Sequence, residues 1–137
     1  MEMDATLLIP QRPPFVFVDQ LIDFDDHSAS STFIIKTQNP MLESNCLMAG
    51  GLLENMAQTA AVMNGYRQNI MQLPVVRGYI GAMSNIVIIG LPAVGQRITT
   101  TVKLKTKVLN VDIVEAQVMN EEGQILASCE MKIFLEA

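Results

Sequence analysis

Tryptophan is absent, histidine occurs once and cysteine twice in the 137 residues, and only 17% of them are charged. One imidazole and two thiols cannot close a four-ligand nitrogen and sulfur zinc site within one chain, so no metal centre is expected. Nine lysines and arginines stand against fourteen aspartates and glutamates, a formal net charge of −5. That is the wrong sign for a protein that neutralises nucleic-acid phosphates. No apolar run reaches the roughly 18 residues that a membrane span needs. The opening stretch, Met1 to Phe15, begins acidic and lacks the basic and apolar regions of a secretory signal. Cys46 and Cys129 lie far apart with no framework around them, which suits two free, buried thiols in a reduced, cytoplasmic setting.

What the chain has in quantity is apolar surface: half of its residues are hydrophobic, too many for a disordered segment. The length fits one domain, residues 1–137, able to bury roughly two thirds of its unfolded surface. No repeat, low-complexity tract or Gly/Ser linker divides it.

Three blocks follow one another. The first opens with a proline-punctuated stretch, Ile9 to Pro14, then the apolar run Phe15 to Val18, an acidic turn Asp23 to His27 and a β-rich piece Ser31 to Lys36. Its β-branched and aromatic content predicts two strands joined by a turn. The second block, Ala49 to about Arg67, is rich in Ala, Leu and Met without proline, which predicts the one long helix. Apolar residues fall in nearly every direction around it, so it belongs inside something. Gly65 and Pro74 are read as marking its end.

The third block, Gly78 to Ala137, reads as consecutive strands. Ile98, Thr100, Val102, Leu104, Thr106 and Val108 alternate with Arg97, Thr99, Thr101, Lys103, Lys105 and Lys107, the period of a half-buried strand. A second strand is expected from about Val111 to Met119. Asn120 to Gly123 then form a hairpin turn, and Ile125, Ala127, Cys129, Met131, Ile133 and Leu135 mark the inner face of a last strand. Strands, one buried helix and an antiparallel meander make an α+β order, with a curved sheet around the helix.

Several motifs along this chain match a known family in the right order. Ile9-Pro10-Gln11-Arg12-Pro13-Pro14-Phe15-Val16-Phe17-Val18-Asp19 resembles the Leu-Pro-His-Arg-x-Pro opening of the 3-hydroxyacyl-acyl-carrier-protein dehydratases, which continues through three hydrophobic residues to Val-Asp. Gly51 to Gln58 is similar to their central helix, with a Glu followed by Met/Leu-Ala-Gln. Tyr79-Ile80-Gly81-Ala82 and Leu91 to Gln96 resemble the family's aromatic-Gly strand and its Pro-x-x-Pro-Gly-Asp turn. The resemblance covers nearly the whole chain and is strongest to the dehydratase-like members of aryl-polyene and flexirubin pathways, through Met56-Ala57-Gln58-Thr59-Ala60-Ala61.

The resemblance implies a hot-dog fold, a homodimer or trimer of dimers, and an acyl carrier protein as partner in fatty-acid or polyene biosynthesis. No cofactor is implied beyond the phosphopantetheine on which the substrate rides. It implies Glu54 as the catalytic acid, and a carboxyl on an apolar helix loses hydration, which favours its neutral form. Gln58, one turn later, is placed to orient it; a structural pairing of Glu54 at a dimer seam is the other reading. The backbone N–H groups of Ala49, Gly50 and Gly51 are implied to bind the thioester oxygen at the helix start, with close packing of small residues as the alternative.

The family's Gly-His-Phe-Pro loop is missing. Its histidine aligns with Pro40, and Asn39 to Leu47 contain no imidazole. Gln11 stands where the opening motif has His, and an amide cannot accept a proton near pH 7. His27 is read as a solvated turn residue. Cys46 is read as a small hydrophobe rather than a nucleophile, Glu43 as a solvated loop acid, and Asp19 as a cap or a partner of Arg12. The methionines Met41, Met48, Met56 and Met63, with Met71, Met83, Met119 and Met131 beyond the helix, line an acyl tunnel or fill the core. The lysine row Lys103, Lys105 and Lys107 is read as an edge that meets an acidic carrier or as a solvated face. Three functions remain open: a dehydratase of 3-hydroxyacyl thioesters, a catalytically impaired hot-dog subunit that binds acyl chains or pairs with an active paralogue, and an acyl thioesterase.

Overall fold

Ala49 to Gln68 pass through twenty consecutive helical positions without one exposed residue, and a sheet supplies the cover. The computed structural model describes residues 1–70, 72 and 78–136. Among these the elements are β1 (Met3–Asp4), a 3-10 turn (Ala5–Leu8), β2 (Gln20–Phe24), β3 (Ser28–Ile34), β4 (Leu42–Glu43), β5 (Cys46–Leu47), α1 (Ala49–Asn69), β6 (Gly78–Ile88), β7 (Arg97–Val108), β8 (Val111–Met119) and β9 (Ile125–Leu135). Seven strands form one antiparallel sheet in the order β1-β2-β3-β7-β8-β9-β6, wrapped around α1. β4 and β5 make a separate small hairpin just before the helix.

The core lies between α1 and the inner face of the sheet. Leu52, Met56, Val62 and Met63 of the helix meet Ile98, Val102, Val114, Val118, Ala127 and Met131, all buried. Each such Leu, Val or Met contributes roughly 1.5–3 kcal/mol relative to exposure. Met56 and Met131 are core fillers, and Met63 both fills core and borders a cleft described below. Met71 and Pro74 fall outside the described residues.

The hairpin β8–β9 follows the expected bounds, with Gly123 at φ +79 closing its turn. In β7 the alternation holds only to Leu104: Ile98, Thr100 and Val102 are buried, but residues 105–108 are exposed on both faces beyond a bulge. Thr106 and Val108 belong to no buried cluster among the described residues. β7 lies between β3 and β8, but β3 pairs with it only as far as Lys103, so Lys103 is internal while Lys105 and Lys107 have a strand neighbour, β8, on one side alone among the described residues. Lys105 pairs with Glu115 at 3.4 Å and Glu130 at 3.7 Å, and Lys107 with Asp112 at 2.5 Å.

Two further expectations are corrected. Gly65 does not end α1, which continues to Asn69. A Cβ there would stand 2.2 Å from the Leu8 carbonyl oxygen, so the glycine admits the 3-10 turn against the helix. Phe15 to Val18 are not a strand. They run extended beside α1, and helix side chains replace the missing sheet partner: Gln58 Oε1 accepts the Phe17 N–H at 2.7 Å, and Asn55 Nδ2 donates to the Phe17 carbonyl at 2.7 Å.

Asn55 belongs to a buried polar belt. Its Oδ1 accepts the Thr100 hydroxyl at 2.5 Å, its backbone carbonyl accepts the Thr59 hydroxyl at 2.8 Å, and Thr59 meets Ser31 at 2.7 Å. Loop, helix, β3 and β7 are thus tied at one level, every group satisfied within the interior.

Candidate active site

Glu54 and Gln58 sit one helical turn apart on the side of α1 that the sheet does not cover closely. Gln58 is buried; its Nε2 donates to Glu54 Oε1 at 2.9 Å and to the Phe15 carbonyl at 2.8 Å. With Oε1 held by the Phe17 N–H, the amide has no freedom to swing, so it fixes one carboxylate oxygen. Glu54 itself is half-buried, and its side chain opens on a cleft of about 670 Å3. That volume is in the range of small-molecule sites.

Ala57 and Ala61 continue the Glu54 face along the helix and leave the cleft its width, while Tyr79, Ile80 and Ile133 form the opposite wall. Tyr79 and Ile80 belong to β6, which among the described residues pairs only with β9 and is the outermost strand on that side. Every residue of β6 except Met83 is exposed, including Ile86, Val87 and Ile88, and Ile89 follows them. A long apolar strand with an open row of backbone N–H and C=O groups is a template for another strand. The acid therefore lies in a cleft that reaches an unfinished sheet edge.

The helix start stands apart from this cleft. Ala49, Gly50 and Gly51 line none of its wall among the described residues. The Gly51 N–H is bonded to the Met48 carbonyl at 2.9 Å. A Cβ on Gly50 would meet Met41 Cε at 2.6 Å, and one on Gly51 would meet Leu47 Cδ1 at 2.4 Å. Small residues are needed here for packing, whatever the N–H groups of Ala49 and Gly50 do.

The other candidates separate as well. His27 is exposed in the β2–β3 turn, where Asp25 Oδ1 accepts its backbone N–H at 2.8 Å. Cys129 is buried against Met56, its sulfur 3.7 Å from the thioether, and burial pushes its thiol up to about 11, with Glu130 adding to the rise. Cys46 is half-buried in β5, and Glu43 is exposed. Asp19 pairs with Lys36 at 3.7 Å and accepts the Ile34 N–H at 2.8 Å, whereas Arg12 donates to the Ile9 and Gln11 carbonyls. Asn55 was the functional-looking polar residue that motif reasoning passed over; a lone amide amid Leu, Met and Ala was its only signal.

An antiparallel seven-stranded sheet closed around one long helix, with a carboxylate on that helix, defines a hot-dog domain. The chain belongs to the ApeP-like family, described as ApeP dehydratase, whose model matches residues 3–137. Among solved structures it is similar to the dehydratase heterocomplex ApeI:P from Xenorhabdus doucetiae, at 15% identity and a TM-score of 0.85 over 98% of this chain and 92% of that one. The PaaI protein from the phenylacetic acid degradation operon of E. coli matches at 16% identity and 0.70, over 83% and 80%. A hypothetical thioesterase protein with coenzyme A from Streptococcus pneumoniae TIGR4 matches at 12% and 0.71, over 85% and 84%. At these identities the structures speak for the fold. No curated protein matches the chain in sequence. No described helix is long and apolar enough to cross a membrane.

Proposed function

We propose that this chain is one subunit of a hot-dog pair that dehydrates 3-hydroxyacyl thioesters presented by an acyl carrier protein. Glu54 donates a proton to the 3-hydroxyl as the C3–O bond breaks and water leaves. A base takes the proton from C2, and the electron pair of that bond becomes the C2=C3 double bond. The carrying observation is the Glu54 carboxylate, fixed by Gln58 at 2.9 Å in a cleft that ends at the open β6 edge. This chain's one imidazole, His27, is in a remote turn, so the base comes from the second hot-dog chain seated along β6. The dehydratase heterocomplex ApeI:P supports a paralogous partner over a second copy.

The test mixes the chain with a paralogous hot-dog protein that carries an active-site histidine and supplies a 3-hydroxyacyl carrier thioester. Enoyl product is expected from the mixture and not from this chain alone, and Glu54→Gln in this chain should abolish it. Activity of the mixture that ignores Glu54→Gln overturns the reading. The thioesterase neighbours favour a second reading, in which Glu54 activates water; free acid instead of enoyl product identifies it.

A further inference from the structure

The open strand β6 has a different neighbour at each end. At its start, Tyr79 and Ile80 form the wall of the Glu54 cleft. Past its last residue, Ile88, the chain turns through Ile89 to Leu91 and reaches the β4–β5 hairpin. There the Leu47 N–H donates to the Pro92 carbonyl at 2.9 Å, the Val94 N–H donates to the Asn45 carbonyl at 3.0 Å, and Cys46 bridges to Ala93. The hairpin runs directly into the first turn of α1. Ile86, Val87, Ile88, Ile89 and Leu91 are exposed along this end, so the apolar edge that a partner would cover reaches the hairpin.

Two similar folds that pair edge to edge about a two-fold axis set their strands antiparallel. The start of β6 then meets the end of the partner's equivalent strand, and the reverse holds at the other end. Whatever the partner brings to Glu54 comes from its own hairpin and helix start. This chain offers the same parts to the partner's cleft.

What it offers is closed. Asn39 to Leu47 contain no imidazole. Ser44 and Asn45, at φ +51 and +64, join β4 to β5 by a tight two-residue turn. Asn39 Oδ1 accepts the Met41 N–H at 2.8 Å, and the Met41 carbonyl accepts the Met48 N–H at 2.9 Å. The Met41 side chain lies over Gly50 and that of Leu47 over Gly51. The Met48 carbonyl takes the N–H groups of Gly51 and Leu52, at 2.9 and 3.3 Å. The one carboxylate of the hairpin, Glu43, is exposed to water rather than enclosed at the helix start.

We infer that the pair carries a single working site, at Glu54, and that the position related to it by the two-fold is plugged by the β4–β5 hairpin of this chain, with Met41 as the stopper. The inference rests on the reading of the chain as half of a dehydrating pair. This chain then serves twice: it lends its acid to one position and closes the other. An acid at the equivalent place on the partner's helix faces the hairpin and finds no base.

The number of sites is measurable on the assembled pair. The amide analogue of a 3-hydroxydecanoyl pantetheine thioester holds its C2 proton too firmly to be turned over, so calorimetry with it reads the stoichiometry directly. One equivalent per pair is expected, and two equivalents overturn the inference. Kinetics give a second count. Glu54→Gln in this chain should lower enoyl formation by roughly 10²-fold or more, whereas glutamine at the aligned position of the partner should leave it unchanged. Loss of half the rate to each substitution is the signature of two equal sites and overturns the inference. Pro40→His returns an imidazole to the hairpin, and beside Met41 it should add no second site. A doubled rate in that variant, or a rate that survives Glu54→Gln, overturns the plug. The binding count needs no turnover: if the pair forms no enoyl product, the dehydratase reading fails while the count still decides between one site and two.

Discussion

Gln58 reaches the backbone N–H of Phe17 across 41 positions of sequence and holds it at 2.7 Å. The same amide grips Phe15 and Glu54, so one side chain anchors the proline-rich loop and sets the acid. Gln58→Leu strands the buried Phe17 N–H, together with the Phe15 carbonyl. About 2–4 kcal/mol should be lost, seen as a lower urea midpoint with an unchanged slope. A change under about 0.5 kcal/mol, the range of ordinary surface substitutions, would show that the loop is anchored elsewhere.

Glu54→Gln keeps the shape and the half-buried setting of the side chain but removes the transferable proton. In the paired protein, enoyl formation should fall by roughly 10²–10⁴-fold. Thermal unfolding monitored alongside should show nearly the same midpoint, which separates lost chemistry from lost fold.

Gly65→Ala tests the contact with Leu8. Helix propensity alone favours alanine by about 1 kcal/mol, but the added Cβ meets a backbone oxygen at 2.2 Å. Overpacking of this kind costs about 1–3 kcal/mol, and a carbonyl tied into the 3-10 turn gives way less than a side chain. The clash should win, lowering the melting temperature; a rise would show that the turn moves aside.

Val87→Lys places a charge on the open β6 edge, where the parent residue is exposed and makes little intrachain packing. Association with the second hot-dog chain should weaken in sedimentation or size-exclusion experiments, while the chain's own circular dichroism stays unchanged. Unaltered association would move the interface away from β6.

Cys129 gives a pH signature. Its folded thiol titrates at about 11, above the ordinary 9.0, because burial disfavours the thiolate. Above pH 9 the unfolded chain releases this proton and the folded chain keeps it, so stability falls as pH rises from 9 to about 11 and is constant for this group below 9. Cys129→Ala should flatten that decline in a pH series of denaturant midpoints. A thiol reagent at pH 8 should reach Cys129 only on unfolding.

The helix and the meander were legible because their patterns are local. An Ala, Leu and Met run without proline carries α1, and period-two alternation carries β8 and β9. Where the reading failed, a distant partner decided. Phe15 to Val18 have strand composition, but the Phe15 carbonyl and both backbone groups of Phe17 bond to Asn55 and Gln58, which no window of neighbours contains. Gly65 looks like a helix stop until Leu8 is laid across it. Thr106 and Val108 continue the alternation of β7 beyond the bulge, where both faces of the strand are exposed. At the site, the spacing of Glu54 and Gln58 was readable as a shared helix face, whereas the closure of the helix start by Met41 and Leu47 and the openness of β6 are properties of the folded chain.

The belt linking Ser31, Thr59, Asn55 and Thr100 fixes the helix lengthwise against the sheet. Sliding the rod by one turn, about 5.4 Å, would tear the Thr59–Ser31 and Asn55–Thr100 pairings apart in a dry interior. The scaffold is therefore indexed like a key in a slot, and the depth available to a guest cannot be retuned by shifting α1. Evolution of a longer or shorter guest must proceed by exchanging wall residues such as Ala57, Ala61 or Ile133, one methyl group at a time.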